Sequence, residues 1–162
     1  MWYRVIGVLL LLVAMSGMLR AATLTPDIAR CFQDAGLKFR VDWRLLLAIA
    51  EVESGLDPRV IGLNKKNGQV RSEDIGLMQI NSAWLPALKP LGITRAVLLN
   101  NPCQNIHVGA WILARNIEQN GVNWTSVGAY NAGFRNANAP FRMRYARKVY
   151  DRYLRLTSTR DR

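Results

Sequence analysis

The chain has a single histidine and two cysteines among its 162 residues. It contains no CxxC pair, and His107 has no metal-ligand spacing around it, so no metal site is expected and His107 reads as an ordinary helix residue. Acids are scarce: 11 Asp and Glu stand against 22 Lys and Arg, a formal net charge of +11. That surplus favours a polyanionic partner (nucleic acid, anionic lipid or an acidic wall polymer) without choosing among them. No apolar run reaches the roughly 18 to 20 residues that a membrane-spanning helix needs. Internal repeats, low-complexity stretches and dividing linkers are also missing. What remains is one domain, half of it hydrophobic, long enough to bury a core.

The longest apolar run, Val5 to Leu19, follows Arg4 and leads to the small residues Ala21 and Ala22. This is the layout of a secretory signal peptide. Residues 1–22 are therefore expected to be removed, leaving residues 23–162 in the periplasm without a membrane span. An uncleaved anchor is the alternative. Loss of Arg4 and Arg20 lowers the charge from +11 to +9. Export also removes the chain from nucleic acid, and it places Cys31 and Cys103 in an oxidising compartment. An even cysteine count there favours a disulfide, with two buried thiols as the alternative.

Thr25-Pro26-Asp27 supplies an N-cap, a proline for the first helical position and an acid for the first turn, which predicts a helix to about Phe39. Asp42 caps a second, from Trp43 to Ser54. Turn-rich sequence follows, and Asn67-Gly68 marks a hairpin inside a small β-region spanning about residues 57–80. Short helices are expected over Ser82–Lys89 and Thr94–Leu99. Asn101-Pro102 opens the longest helix, with Ile106, Ala110, Leu113 and Ile117 at helical spacing and Gly121 as its stop. Asn123 caps another through Tyr130, and a basic helix runs over about 140–156. The sum is an α+β domain, predominantly helical.

Glu53 breaks the pattern of the second helix. At 100° per residue it lies about 20° from Leu46 and 40° from Ile49, on the apolar side, whereas Glu51 shares the opposite face with Arg44. No basic residue lies within two turns on Glu53's side of the helix, so local sequence offers it no salt-bridge partner. Apolar surroundings disfavour its charged form and raise its pKa, which suits a general acid that keeps its proton near neutral pH. The plainer alternative is a glutamate that reaches water from a helix end. Two further stretches bear on the choice: "EDIGLMQINSAW" at 73–84 and "GAYNAGF" at 128–134. Gln79, Asn81 and Asn131 carry amides that both donate and accept, as sugar recognition requires, and Tyr130 adds a ring and a hydroxyl. Each also has an ordinary structural reading, with Met78 in the core and Gly76 and Gly133 in turns.

Taken together, Glu53-Ser54, "GLMQIN" at Gly76–Asn81 and "AYNAG" at Ala129–Gly133 resemble the three signatures of soluble lytic transglycosylases with a lysozyme-like fold. Tyr145, in "RMRYARKVY", is similar to the further tyrosine of that family. The resemblance covers roughly residues 27–150. Size, leader and the Cys31/Cys103 pair with "NPCQNIHVGAWILA" further resemble the small one-domain members associated with type III and type IV secretion, conjugation and pilus systems.

The resemblance implies cleavage of the β-1,4 bond between N-acetylmuramic acid and N-acetylglucosamine in peptidoglycan, without a cofactor. Glu53 would act as acid and then base, and the sugar's own 6-hydroxyl would close a 1,6-anhydro ring. Ser54 would hydrogen-bond near Glu53 or the N-acetyl group. Gln79, Asn81, Tyr130 and Asn131 would line the groove, and Tyr145 would hold Glu53 and the sugar. The implied partners are glycan strands and components of an envelope-spanning apparatus. Asp74 opens a second reading, because "DIGLMQINS" also resembles animal-type lysozymes, where an Asp at that place is the second carboxylate. Glu53 and Asp74 together would permit hydrolysis. A non-catalytic wall-binding module is the remaining alternative.

Nine of the 22 basic residues fall within 135–162. Tyr145, Val149, Tyr153 and Leu156 form an apolar stripe there, with Arg144, Arg147, Lys148, Arg152 and Arg155 on other faces. A solvated helix docked by its stripe accounts for this pattern. A contact to peptidoglycan, to the membrane surface or to an acidic component is the functional alternative.

Overall fold

The computed structural model describes residues 24–158, so the expected leader at 1–22 lies outside the described residues. Helix α1 (Pro26–Phe39) opens at Thr25, whose hydroxyl accepts from the Ile28 amide at 3.4 Å. Helix α2 (Trp43–Ser54) is capped by Asp42, whose carboxylate accepts from the Arg44 amide at 2.9 Å, and it ends at Gly55. Strands β1 (Ile61–Lys66) and β2 (Gln69–Ile75) form the expected hairpin. Asn67 and Gly68, at φ +54° and +77°, supply the two left-handed residues its tight turn requires. The short β3 (Ile80–Asn81) adds to β2 and completes a three-stranded antiparallel sheet in the order β1-β2-β3.

The single helix expected over Ser82–Lys89 is broken into a 3-10 turn (Ser82–Trp84), the one-turn α3 (Leu85–Leu88) and a second 3-10 turn (Lys89–Leu91). Pro90 explains the break: it has no amide proton, and its ring would collide with the carbonyl four residues earlier in a continuing helix. Thr94 caps α4 (Arg95–Asn100), and Asn101 caps α5 (Pro102–Asn120). Asn123 caps α6 (Trp124–Ala132), which runs two residues beyond Tyr130. The last helix, α7, covers Ala139–Ser158.

The core gathers around α5, which packs on α1, α4 and α6. Its Ile106, Ala110 and Leu113 are fully buried, as the sequence spacing requires. Helix α7 closes the other side against α2 and α6, burying Tyr145 and Val149. Gly128 lets α6 and α7 touch: a Cβ at this position would run into the Arg142 carbonyl. Cys31 of α1 and Cys103 of α5 form a disulfide with their Cα atoms 5.3 Å apart. The result is the predominantly helical α+β, lysozyme-like arrangement that the sequence predicts. Among the described residues no helix is long and apolar enough to cross a membrane.

Candidate active site

Leu46 and Ile49 are fully buried, and the same face of α2 carries Glu53 in its last turn. There the helix opens onto a cavity of about 850 Å³ between the sheet and α6. Tyr145 reaches over from α7 and donates its hydroxyl proton to Glu53 Oε1 at 2.6 Å. Burial pushes the Glu53 carboxyl up to about 7 from 4.5; the Tyr145 hydrogen bond opposes this rise, and the negative charge of Asp74 adds to it. Among the described residues no ion pair involves Glu53, whereas Glu51 on the other face lies 3.9 Å from Arg152. The helical rotation therefore separates a surface acid from an inward one. Burial, followed by the charge of Glu53, also holds the Tyr145 and Tyr130 hydroxyls well above their usual range, so both remain proton donors.

Asp74 lines the same cavity from β2. Its two oxygens are individually fixed: Asn64 donates to Oδ2 at 2.8 Å and Asn81 to Oδ1 at 2.7 Å. The register makes this possible, because Asp74 faces Gly62 on β1 and Asn81 on β3. The carboxylate is an oriented charge, held by two amides and facing the cavity that Glu53 shares.

Gln79, Asn81, Tyr130 and Asn131 all reach this cavity, but they are not alike. Gln79 donates to the Val60 and Gly76 carbonyls at 3.0 and 2.9 Å. Asn81 donates to Asp74 and Ser72 and accepts from the Ala83 amide. Tyr130 donates to the Met78 carbonyl at 2.9 Å. These three fasten the wall. Asn131 is exposed, lines the cavity and forms no hydrogen bond with its side-chain amide among the described residues. Tyr145 lines a smaller recess of about 390 Å³ that shares Glu53 and Asn131 with the larger one. Ser54 is not brought to the cavity. Its hydroxyl lies 2.7 Å from the Leu77 carbonyl and 3.2 Å from the Ala50 carbonyl, and it makes no hydrogen bond to Glu53 among the described residues.

Four residues of the site escape the sequence reading. Asn64 sits in the hairpin segment, where its turn propensity hides its contact with Asp74. Trp84 presents a ring to the cavity, packed edge-on against Trp111 at 5.3 Å with the Arg115 guanidinium over both rings. Asn105 is fully buried in α5, accepts from the Met78 amide and donates to the Ile75 and Leu98 carbonyls, so it holds the loop behind Gln79. Arg142 is buried and donates to the Gly133 carbonyl at 2.7 Å and the Arg135 carbonyl at 3.2 Å, anchoring the segment that follows Asn131. Its signal lies in the periodicity: Arg142 is three residues before Tyr145, on the stripe side of α7, where an arginine is out of place. His107 is an ordinary helix residue whose Nδ1 lies 2.9 Å from the Cys103 carbonyl.

The arrangement can deliver a proton near neutral pH, hold an oriented negative charge across the same cavity, and offer amide and aromatic surface to a polar chain. Comparison with known proteins agrees with this chemistry. Residues 30–152 match the transglycosylase SLT domain model. The chain is 44% identical over 135 residues to a peptidoglycan-binding-like protein of Escherichia coli O157:H7, covering 82% of this chain and 81% of that one. It is 41% identical over 128 residues to the invasion protein IagB of Salmonella typhimurium, covering 79% and 78%. It is 37% identical over 135 residues to the protein IpgF of Shigella flexneri, covering 82% and 86%.

Proposed function

This chain belongs to the transglycosylase SLT domain family, and from that premise we propose that it is a peptidoglycan lytic transglycosylase that yields 1,6-anhydromuramoyl ends. The observation that carries the proposal is Glu53: a carboxyl with a pKa of about 7, held by Tyr145 beside a cavity large enough for sugar rings. Glu53 gives its proton to the glycosidic oxygen as the bond to the muramoyl C1 breaks. The cationic sugar that develops is stabilised by its own N-acetyl group and by the fixed negative charge of Asp74. Glu53, now a carboxylate, takes the proton of the 6-hydroxyl while that oxygen closes on C1. Both protons pass through one residue, and no water is consumed. Asn131 and Trp84 hold the strand, and the tightly bonded Gln79, Asn81 and Tyr130 keep the wall in shape.

Asp74 supports a second reading, in which it assists a water molecule in place of the 6-hydroxyl and the product is a reducing muramic end. Mass spectrometry of digested peptidoglycan separates the two, since an anhydro end is lighter than a reducing end by one water. Glu53→Gln preserves the Tyr145 contact but carries no transferable proton. It is expected to fold normally and to lose about a hundred- to ten-thousandfold in cleavage, the scale on which a positioned acid-base acts. Cleavage by the variant at the wild-type rate would overturn the Glu53 mechanism, whereas a wild type that binds strands without cleaving them would leave only a wall-binding role.

We further propose that residues 1–22 direct export, so that the chain works in the periplasm. The name of the IagB relative, an invasion protein, supports a role in opening the wall locally for an envelope-spanning apparatus.

A further inference from the structure

The recess beside Glu53 is walled by Val52, Tyr145 and Phe141, and by two cations one helical turn apart on α7, Arg144 and Lys148. These cations differ from their neighbours. Arg147 pairs with Asp151 and Arg152 with Glu51, whereas no ion pair involves Arg144 or Lys148 among the described residues. Arg144 is held in place by stacking on the Phe141 ring, with its guanidinium carbon 4.8 Å from the ring centre. Phe141 is itself half exposed, at 54%, so the pair stands at the rim of the recess. Further along α7 the next hollow, which Lys148 also borders, contains Glu51 and Asp151 beside its cations. Among the described residues lining this recess the only acid is Glu53 itself, whose carboxyl burial pushes up to about 7. The recess therefore sets two cations without ion-pair partners among the described residues beside the Glu53 carboxyl.

Peptidoglycan brings an anion to this place. The muramoyl ring that loses its bond at C1 carries, on O3 of the same ring, a lactyl group amide-linked to a stem peptide. That peptide bears free carboxylates. With C1 at Glu53, the peptide has to leave the groove close by. We propose that the recess formed by Arg144, Lys148 and Phe141 binds a stem-peptide carboxylate and makes this chain select peptide-bearing glycan over stripped glycan. The inference rests on the transglycosylase reading and adds a specificity site to it. Arg144 supplies a planar fork suited to a carboxylate, Lys148 a second charge, and the Phe141 ring limits the freedom Arg144 would otherwise lose on binding.

The test uses the double variant Arg144→Gln/Lys148→Gln and three substrates: native strands, strands freed of peptide by an amidase, and strands whose stem carboxylates are converted to amides. For native strands KM is expected to rise about five- to tenfold, the scale of two solvent-exposed charged contacts, with kcat little changed. For peptide-free strands the variant and wild type are expected to match. Amidation of the carboxylates is expected to impose the same penalty on the wild type and none on the variant, since the two changes remove one interaction. Arg30→Gln on α1 removes a charge far along the chain from the recess and is expected to leave all three values unchanged. An equal loss on native and peptide-free strands, or a wild type indifferent to peptide and to amidation, overturns the carboxylate site while leaving the transglycosylase reading intact. A wild type that releases no anhydro product from any of the three overturns both.

Discussion

Tyr145 and Asp74 pull the Glu53 proton in opposite directions. The hydroxyl of Tyr145 stabilises the carboxylate form, and the charge of Asp74 stabilises the acid; both act on a group that burial has already pushed up to about 7. In the proposed reaction Glu53 enters protonated, so cleavage is expected to fall as pH rises through that value. Tyr145→Phe removes the bond that favours the charge, which moves the alkaline limb of kcat to higher pH. Asp74→Asn removes the repulsion and moves it to lower pH. Each shift is expected to be on the order of one pH unit, the size of a single charge-assisted contact. Two limbs moving in the same direction, or not at all, would contradict this balance. Helical rotation makes Glu53 legible in the sequence, but its partners come from 21 and 92 residues away, and only the family resemblance points to them. Ser54 shows the limit of a motif. It neighbours Glu53 in the chain, yet one residue of rotation turns its hydroxyl to Ala50 and Leu77.

At the level of elements, helix starts are the most legible feature, because each is a local bargain between a side chain and orphan amides: Thr25, Asp42 and Asn123 cap as expected, and Thr94 and Asn101 cap the helices expected to begin there. Crossings between helices are not legible, since they depend on what approaches from outside. Gly128 and Gly133 stand in one motif, yet nothing lies near a Cβ at Gly133, while at Gly128 α7 occupies the space. Gly128→Ala must push α7 away, and α7 carries Tyr145 and the buried Arg142 that fastens the end of α6. The variant is expected to lose about 1–3 kcal/mol of stability in urea, the usual cost of overpacking, and to turn over more slowly at a temperature where it remains folded. A wild-type urea midpoint would show that the two helices are not in hard contact.

Across the whole molecule, the only covalent link beyond the backbone among the described residues is the bond between Cys31 and Cys103, which spans 72 residues of sequence and joins α1 to the first turn of α5. The loop it closes contains α2, the sheet, α3 and α4, and therefore both carboxylates, Glu53 and Asp74. Opening it leaves the noncovalent packing of Phe32 and Ala35 against the core, so the folded state keeps its shape, while the unfolded chain gains the freedom of a long open loop. In the chain-entropy model that freedom amounts to about 4 kcal/mol. Cys31→Ala/Cys103→Ala is therefore expected to unfold at a lower temperature than the oxidised wild type. Reductant should lower the wild type to nearly the same midpoint and leave the variant where it is. At 25 °C the variant should still cleave, because Tyr145 and Glu53 are brought together by the packing of α7 on α2 and not by the disulfide. A wild type that melts at the same temperature with and without reductant would mean that the bond adds nothing to folding, and the joint between α1 and α5 would have to be credited to packing alone.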